Sequence, residues 1–437
     1  MTDSPCRGAS GDGATRREFL TAAACGAGLL FGISPAAART YQANSKLSIG
    51  VIGVANRGRD NLQGVASQQI TALCDVDSAY LDAACAAFPG AERFADFRKM
   101  LDRVKLDAVV ISTTDHTHAP AAAMALRKGL DVYCEKPLTH TVHEARVVAD
   151  LARRHQRVTQ MGTQIHAGSN YRRVVEAIRA GVIGQVAEVH VWCDGGKSGG
   201  DRPTETPQVP PTLDWDLWLG PAPARPYHPA YVPHNWRGWW DFGNGTLGDL
   251  ACHHMDLPFW ALDLRHPVTV EAEGPPVHPE STPSWLIVRY EFPERQSGPA
   301  VSLTWYNGDR RPRYFAEGKL PSWGNGTLFV GSKGMLLADY NRHVLLPEGE
   351  FANYQPPPRT IPESIGHYEE WIEACKSRGS TTCNFDYSGA LTEAVLLGNV
   401  AYRSGERLNW DARSLRAKGA RHADEFLRRR YRRGWRL

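Results

Sequence analysis

The sequence predicts an α/β protein with an N-terminal doubly wound parallel sheet, residues 46–165, and a C-terminal α+β domain with a large open, mostly antiparallel sheet, residues 166–427. Three observations support this prediction. Short apolar runs alternate with helix-length segments in the first part, whereas longer strands of alternating apolar and polar residues follow in the second. Roughly 400 residues follow an N-terminal leader, which is more than one core usually supports.

Five buried apolar runs define the parallel sheet. They are Leu47–Gly53, Ile70–Cys74, Ala108–Ser112, Val132–Cys134 and Val158–Met161. Helix-length segments such as Ala79–Phe88 and Ala119–Lys128 lie between them. This alternation is the βαβ pattern, in which helices cover both faces of a parallel sheet.

A different pattern begins after Gly168. The sequence predicts one helix and four longer strands, at Tyr171–Ala180 and at Val186–Cys193, Val268–Glu273, Leu286–Phe292 and Val301–Tyr306. Residues 196–245 are rich in Gly, Pro and Trp and have little periodicity. A loop of this length inside a compact domain is usually functional.

The N-terminus carries an export signal of the twin-arginine kind, with Arg16 and Arg17 before an apolar stretch. That stretch, Phe19–Ser34, is about 16 residues long, shorter than the roughly 20 that a bilayer span requires, and a small-residue cleavage site follows it. Residues 1–38 are therefore predicted to be a signal peptide, which places the mature protein in the periplasm or otherwise outside the cytoplasm without a stable membrane span. An uncleaved membrane anchor is the alternative.

Charge gives no indication of a nucleic-acid partner. The formal net charge is +3, but six arginines lie in the last ten residues, 428–437. The excess is therefore confined to a basic tail. We expect this tail to be solvated or to contact another subunit, with an anionic surface as the alternative partner.

The cysteines indicate neither a disulfide framework nor a metal site. Seven lie outside the leader, an odd number, and they show no paired CxxC and no zinc-ligand spacing. We expect most of them to be free and buried, and we predict no metal.

A nucleotide-binding turn follows the first strand. Gly53-Val54-Ala55-Asn56-Arg57-Gly58 is a G-x-G-x-x-G pattern whose middle glycine is replaced by Ala55. The first glycine permits the tight turn, the last permits close packing of helix on strand, and the helix N-terminus accepts a pyrophosphate. Asp75 ends the second strand about 20 residues later, where an acid binds the ribose hydroxyls of NAD and disfavours NADP. Arg57 leaves NADP open as the less favoured cofactor.

Three further motifs carry polar groups. Two follow strands of the parallel sheet, Thr113-Thr114-Asp115-His116-Thr117-His118 and Glu135-Lys136-Pro137, and the third runs from Gly245 to Asp256 and contains Asp249 and His253. Ligands of open α/β sheets bind at the carboxyl ends of the strands, which is where the first two motifs lie.

With these motifs the chain resembles the glucose-fructose oxidoreductase and inositol dehydrogenase family (Gfo/Idh/MocA), and it looks closest to an exported bacterial branch. The resemblance covers nearly the whole chain after the leader. It implies an N-terminal Rossmann domain that binds NAD(P), a C-terminal domain whose open sheet packs against substrate and a second subunit, and substrates that are sugars, cyclitols or their derivatives. A homodimer or homotetramer is therefore expected.

The resemblance also implies roles for individual residues. Lys136 would lie between nicotinamide and substrate and stabilise the developing alkoxide, and Pro137 would set the backbone there, with a cis peptide bond as one way to do so. The predicted cofactor-binding residues are Gly53, Ala55, Asn56, Arg57, Gly58, Asp75, Thr113, Thr114, His118 and Glu135.

The spacing of Asp249 and His253 predicts a general base. Four residues apart on a helix, they would face the same side, so that the carboxylate orients the imidazole. The base would take the hydroxyl proton as hydride leaves carbon. A buried structural histidine and a metal-ligand pair are the alternatives, the latter without a convincing third ligand, and His254 is expected to be structural.

A carbohydrate site is indicated by the aromatic block that precedes this helix. Aromatic rings offer flat apolar faces for a sugar, and the polar groups between them suit its hydroxyls. The predicted substrate contacts are Tyr231, Trp236 and Arg237 in this block, and Gln164 and His166 after the last parallel strand.

Together these features predict an NAD(P)-dependent oxidoreductase that acts on a secondary hydroxyl of a sugar or sugar derivative. Because a protein exported in its folded state loads its nucleotide beforehand, we expect a tightly bound cofactor. Two alternatives remain open. One is a redox-neutral NAD-dependent glycoside hydrolase that works by oxidation, elimination, hydration and reduction, and the other is a non-catalytic sugar-binding protein on the same fold.

Overall fold

Two β-sheets, one parallel and one mixed, organise the chain. They are seen in a computed structural model that describes residues 46–437, so the predicted signal peptide lies outside the described residues. The first sheet has six strands and the second has nine. This is the predicted α/β class, with a parallel sheet followed by a mixed and mostly antiparallel one.

The parallel sheet has the strand order β3-β2-β1-β4-β5-β6. Its strands are β1 (Ser48–Ile52), β2 (Gln69–Cys74), β3 (Glu92–Phe94), β4 (Ala108–Ile111), β5 (Asp131–Cys134) and β6 (Thr159–Met161). The helices between them are α1 (Arg57–Gly64), α2 (Ser78–Ala87), α3 (Phe97–Arg103), α4 (Asp115–Arg127) and α5 (Val142–Arg154). Every residue of β4 and of β5 is buried, as expected for strands covered by helices on both faces.

Short polar side chains fix the starts of these helices. Asp77 accepts a hydrogen bond from Ala79 N at α2, and Asp96 accepts one from Arg98 N at α3. At α5, Thr141 and Glu144 form a capping box. Such caps satisfy amides that lack an intrahelical partner. By contrast, no side chain caps α1.

The second sheet has the order β13-β12-β11-β7-β10-β9-β8-β14-β15, and within it β7 and β10 pair in parallel. Its strands are β7 (Val186–Asp194), β8 (Thr269–Glu273), β9 (Leu286–Phe292), β10 (Val301–Gly308), β11 (Asn325–Gly331), β12 (Gly334–Ala338), β13 (His343–Leu346), β14 (Leu408–Asp411) and β15 (Arg416–Lys418). Alternate residues of β9 are buried, including Val288 and Tyr290, while Arg289 and Glu291 are exposed. Strand β9 therefore buries one face, as its period-two pattern predicts, whereas β7 and β11 contain runs of consecutive buried residues and are covered on both faces.

Helices of the second part connect the two sheets. They are α6 (Ser169–Arg179), α7 (Trp215–Leu219), α8 (Cys252–His254), α9 (Asp256–Ala261), α10 (Arg313–Ala316), α11 (His367–Ser377), α12 (Phe385–Ser404) and α13 (Asp424–Leu427). Short 3₁₀-helices occupy Gln164–Ala167, Asn235–Gly238 and Glu348–Phe351, and a π-helix occupies Leu247–Ala251. Helix α12 is joined to α5 by the ion pair of Glu393 with Arg146 at 2.7 Å, and α11 buries Trp371 against Tyr133 of β5. Late segments of the chain thus complete the core around the first sheet.

The prediction of a solvated tail holds for only part of the residues that follow α13. Arg428, Arg430, Arg433 and Arg436 are exposed, whereas the residues between them contact the rest of the chain. Arg429 Nε and Tyr431 Oη donate to Glu144 Oε1 at 2.9 and 2.7 Å. Arg432 N donates to Pro221 O at 3.0 Å, and the Trp435 ring lies 4.1 Å from the Arg98 guanidinium. A buried carboxylate requires polar partners, and the tail supplies two of them to Glu144. The basic tail therefore packs on its own chain.

The seven cysteines of the described residues are free, and all except the half-buried Cys85 are buried, which confirms the prediction. Among the helices of residues 46–437, none has both the length and the apolar character that a membrane crossing requires.

Candidate active site

A cavity of about 710 Å³ opens at the carboxyl ends of the parallel strands. One wall carries Gly53 after β1, Asp75 after β2, Thr113 after β4 and Lys136 after β5. The opposite wall comes from the second part of the chain and includes Leu213, Leu217, Trp236, Arg237, Asp249 and His253. We call the region of residues 53–57, Asp75, Thr113 and Thr114 the cofactor end, and the region of Lys136, Arg237, Asp249 and His253 the substrate end.

Two glycines shape the turn at the cofactor end. Gly53 has φ +83°, and a Cβ there would lie 2.7 Å from the carbonyl oxygen of Ser112. A Cβ at Gly58 would collide with the carbonyl oxygen of Gly53, so Gly58 packs helix α1 on β1 and does not line the cavity. Both positions follow the physical requirements of a dinucleotide-binding turn.

The replacement at the middle glycine does not strain the turn at Ala55. The positive φ falls on the next residue, Asn56, with φ 50° and ψ −119°. Ala55, Asn56 and Arg57 all line the cavity, and Arg57 forms an exposed ion pair with Asp60 at 3.2 Å. With no side chain capping α1, its first amides are free of a side-chain acceptor and suited to a pyrophosphate.

Asp75 is held rigidly at the end of β2. Its Oδ2 accepts a hydrogen bond from Val54 N at 2.9 Å, and its Oδ1 accepts one from Asp77 N at 3.0 Å. Burial raises the pKa of Asp75, and these amides oppose the rise. The carboxyl group keeps further lone pairs toward the cavity, so the uncapped helix, the tight turn and this acid together fit NAD.

Thr113 and Thr114 line the cavity as predicted, but His118 does not. His118 Nδ1 lies 2.8 Å from Pro137 O and Nε2 lies 3.0 Å from Thr113 O. Both ring nitrogens are occupied by the backbone, and burial lowers the pKa of His118 to about 4. His118 therefore ties two strand-end loops together and has no nitrogen left for a cofactor.

Glu135 lines the cavity, and Gln164 lies behind it. Gln164 Nε2 and Asn61 Nδ2 donate to Glu135 Oε1 at 2.8 and 3.0 Å. Gln164 thus holds a cavity-lining acid and does not itself reach the cleft. The Lys136–Pro137 peptide bond is cis, as expected.

Three cations converge on Asp249 at the substrate end. Lys136 Nζ donates to Asp249 Oδ1 at 2.6 Å and to Asp249 O at 2.8 Å. Arg237 Nε lies 2.9 Å from Oδ1, and Lys197 Nζ lies 3.0 Å from Oδ2. Burial opposes ionisation of Asp249, but Lys136, Arg237 and Lys197 outweigh it and hold its pKa well below its usual range. Asp249 is therefore an anion that positions the Lys136 ammonium.

The predicted pairing of Asp249 with His253 was wrong. Asp249 lies in the π-helix Leu247–Ala251, whose wider turn breaks the four-residue alignment of an α-helix. Within residues 46–437 no hydrogen bond joins the two side chains, and the buried His253 Nδ1 has no partner. Burial, followed by the charge of Lys136, lowers the pKa of His253 well below its ordinary value. His253 thus lines the cavity as a neutral imidazole whose Nδ1 is buried.

His254 is structural, as expected. Its Nε2 lies 3.0 Å from Tyr340 Oη, and the two rings stack at 4.7 Å.

Trp236 and Arg237 line the cavity, whereas Tyr231 and His166 do not. Tyr231 is 2% exposed and packs against Trp239, with ring centroids 5.0 Å apart. It is a core residue because its ring fills the apolar cluster beneath the aromatic block.

His166 is likewise buried away from the cavity. Its Nδ1 lies 2.9 Å from Asp256 Oδ2, and its ring stacks on Trp260 at 4.0 Å. With Cys383 these two residues form a group whose ligand atoms lie within 4.8 Å of one another. Asp256 also accepts from Tyr387 Oη at 2.7 Å, and burial raises the pKa of the Cys383 thiol, which disfavours the thiolate that a metal would bind.

Sequence reasoning missed two charged residues. Asp115 lines the cavity, its Oδ2 is buried and lacks a partner among residues 46–437, and burial raises its pKa to about 7 against the influence of Arg237 and Lys136. Asp115 directly follows Thr113 and Thr114, and its position beside these two predicted cofactor residues could have identified it. Lys197 lies in the aperiodic segment 196–245 and had no such signal.

Comparison with known proteins identifies the family. Residues 47–163 match the oxidoreductase family described as GFO_IDH_MocA, NAD-binding Rossmann fold, and residues 191–437 match its C-terminal alpha/beta domain. The chain belongs to the Gfo/Idh/MocA oxidoreductase family. It therefore has an NAD-binding Rossmann domain. Ala55 replaces the middle glycine of the nucleotide-binding turn without changing this domain.

Curated relatives match over part of their length. An inositol 2-dehydrogenase from Leifsonia xyli subsp. xyli is 34% identical over 236 residues, which are 52% of this chain and 66% of that protein. A glycosyl hydrolase family 109 protein from Shewanella woodyi is 31% identical over 159 residues, 32% of this chain and 33% of that protein. The chain thus spans between a third and two thirds of these relatives.

Solved structures share the fold at low identity. GenD2 from gentamicin A biosynthesis, in complex with NAD, has a TM-score of 0.58 at 18% identity and covers 86% of this chain and 99% of its own. The WlbA dehydrogenase from Bordetella pertussis, in complex with NADH and UDP-GlcNAcA, has a TM-score of 0.58 at 18% identity and covers 83% of this chain and 98% of its own.

Proposed function

We propose that this family member is an NAD-dependent oxidoreductase that acts on a secondary hydroxyl of a sugar or sugar derivative. The observation that carries the proposal is that Lys136, positioned by Asp249, shares one cavity with the dinucleotide-binding turn and Asp75. When bound, NAD supplies a hydride acceptor. The turn at residues 53–58 and Asp75 would hold it, and Lys136 and His253 would handle the proton of the substrate hydroxyl.

Lys136 and His253 suit complementary parts of that task. The Lys136 ammonium has two contacts to Asp249 and keeps a third donor for the substrate oxygen, where negative charge develops as the carbon is oxidised. His253 is unprotonated because of its depressed pKa, and its imidazole lines the cavity, where it can accept a proton. Asp249 acts through Lys136 and is a positioning residue.

We further propose a tightly bound cofactor and export by the twin-arginine route. The support is Arg16 and Arg17 in the sequence and the segment around α7, whose Leu213 and Leu217 form a wall of the cavity. A wall from the second part of the chain would slow dissociation of the nucleotide. Self-association into a homodimer or homotetramer is proposed across the open face of the second sheet, where Arg289 and Glu291 are exposed.

A redox-neutral glycoside hydrolase is the second candidate, favoured by the match to the family 109 protein from Shewanella woodyi. A transient ketone acidifies the neighbouring C–H and permits elimination, after which water adds and the ketone is reduced. This route needs a second base near the sugar. His234, which lines the cavity, is the candidate for this base.

The test is to purify the protein, denature it, and identify and count the nucleotide released per chain. Near-stoichiometric NAD(H) supports a closed cycle, and sugars, sugar pairs and glycosides are then screened for products without net cofactor change. Absence of nucleotide, together with activity that depends on added NAD, contradicts tight binding and indicates a conventional dehydrogenase. If the protein binds sugars but converts none of them, and Lys136→Ala binds them equally well, the result supports the non-catalytic alternative.

A further inference from the structure

The substrate end presents positive charge to the cavity. The side chains of Arg237 and Lys197 are 30% and 42% exposed, whereas that of Asp249, which both contact, is 10% exposed. Lys136, the third cation on Asp249, is 12% exposed. One buried carboxylate thus organises three cations around itself, and two of them reach solvent.

The neighbouring acids do not neutralise this surface. Glu135 is 4% exposed, and its Oε1 accepts hydrogen bonds from Asn61 and Gln164. Asp115 is 2% exposed, and burial raises its pKa to about 7. The Glu135 side chain is therefore engaged by two amide groups and that of Asp115 is partly protonated near pH 7, while Arg237 and Lys136 line the cavity where a substrate would lie.

Arg237 has an oriented guanidinium with free donors. Its Nε lies 2.9 Å from Asp249 Oδ1, and its Cζ lies 4.1 Å from the Trp236 ring centroid. The guanidinium thus lies between Asp249 and Trp236, held by the ion pair and the ring contact, and its Nε is not aligned for a hydrogen bond. Within residues 46–437 neither Nη of Arg237 donates a hydrogen bond to protein, although Arg237 lines the cavity. A planar pair of donors matches the two oxygens of a carboxylate.

We propose that the substrate is an acidic sugar, a uronic acid or uronide, whose carboxylate binds Arg237 with Lys197 beside it. The inference rests on the proposed function and specifies its substrate class. A neutral sugar at this position would leave three cations sharing the single carboxylate of Asp249 and would supply no second anion. A polar site rejects an analogue that lacks the matching group in this way. Trp236, beneath the guanidinium, lines the same cavity and offers an apolar ring to the sugar.

The experiment compares matched ligands on the holoenzyme. Methyl uronides and the corresponding neutral methyl glycosides of the gluco, galacto and manno series differ only at C6, so each pair isolates the carboxylate. Binding is measured by calorimetry and turnover by product analysis. In at least one series the uronide is expected to bind about 10- to 100-fold more tightly than its neutral partner, the range for charge-assisted hydrogen bonds.

Variants test whether Arg237 is responsible for the preference for uronides. Arg237→Gln is expected to abolish the preference and Arg237→Lys to retain part of it, because a point charge remains without the planar donor pair. Arg407→Gln is the matched control, since Arg407 is 59% exposed and pairs with Glu271 on the second sheet. Thermal melting and nucleotide content of each variant verify that it is folded and loaded.

The outcomes separate this inference from the proposed function. Uronide preference that disappears in Arg237→Gln, without any turnover, supports the inference and contradicts the proposed activity. Turnover restricted to neutral sugars supports the activity and overturns the inference. The inference is also overturned if the two members of every pair bind equally, if the preference survives Arg237→Gln, or if no uronide binds. If sugar phosphates bind more tightly than uronides, the preferred anion is a phosphate and the carboxylate assignment is overturned.

Discussion

The two ends of the cavity differ in the chemical groups that form them. The cofactor end consists of a glycine turn, two threonines and one acid whose oxygens are held by backbone amides. The substrate end is a cluster of charged side chains around Asp249, drawn from four separate segments of the chain. The first end recognises its ligand largely through backbone shape, and the second through the placement of charge. Single substitutions should therefore act differently at the two ends.

The largest effect is expected from Lys136→Ala at the substrate end. Under the proposed function, Lys136, held by Asp249, donates to the reacting oxygen, so kcat should fall by about 10²- to 10⁴-fold, the range for a group that assists proton transfer. Bound nucleotide per chain should stay unchanged. Steady-state kinetics and nucleotide counting check both, with Lys333→Ala at an exposed position as the control. A kcat within a few-fold of the unmodified protein would remove Lys136 from the chemistry.

A substitution at the cofactor end should instead weaken nucleotide binding. In Asp75→Ala, loss of the acid that faces the ribose should weaken NAD binding by about 10- to 100-fold. The amides of Val54 and Asp77 also lose their acceptor, so Asp75→Asn, which keeps one oxygen, is the matched variant. Titration of nucleotide-free protein with NAD measures the affinity. Unaltered NAD affinity in both variants would break the assignment of Asp75 to the cofactor.

Asp115 lies between the two ends and should respond to pH. Burial raises its pKa from 3.8 to about 7, so its contribution to stability is full below the unfolded value and is lost as pH rises through about 7. Between about pH 5 and pH 8 the protein should lose about 3 kcal/mol of unfolding free energy relative to Asp115→Asn. Denaturant titrations at these two pH values measure the difference. Parallel pH dependence in both proteins would show that Asp115 ionises normally.

The smallest effect is expected at Asn56. Its φ of 50° with ψ of −119° is a conformation that glycine adopts without strain. Asn56→Gly should therefore stabilise the protein by about 1 kcal/mol, the order of a strained residue, and leave kcat unchanged. Thermal melting checks the stability, with Ala55→Gly as the control because the positive φ lies at Asn56. A lower melting temperature would mean that the Asn56 side chain makes a stabilising contact.

The contrast between the two ends also explains what the sequence could predict. The turn from Gly53 to Gly58, Asp75 and Thr113 follow strand ends, and local spacing is enough to place them. The six parallel strands were predicted except the three-residue β3, Glu92–Phe94, which is too short to show a periodicity. The family resemblance supplied Lys136.

The errors have identifiable physical causes. The pairing of Asp249 with His253 assumed α-helical spacing, and a π-helix changed it. Tyr231 was assigned to the cleft because aromatic residues suit sugars, and His166 because it follows the last parallel strand, but both side chains fill a buried core. Lys197 lies in an aperiodic loop that tertiary structure alone brings to Asp249.

The most direct test of the central claim follows the hydrogen atom. The holoenzyme is mixed with a sugar substrate that carries deuterium on its ring carbons, quenched within one turnover, and the released nucleotide is weighed by mass spectrometry. If the cavity brings nicotinamide and a sugar hydroxyl together at Lys136, the nucleotide gains one deuterium in the unmodified protein and none in Lys136→Ala. Product that accumulates while the nucleotide stays free of deuterium would contradict the account.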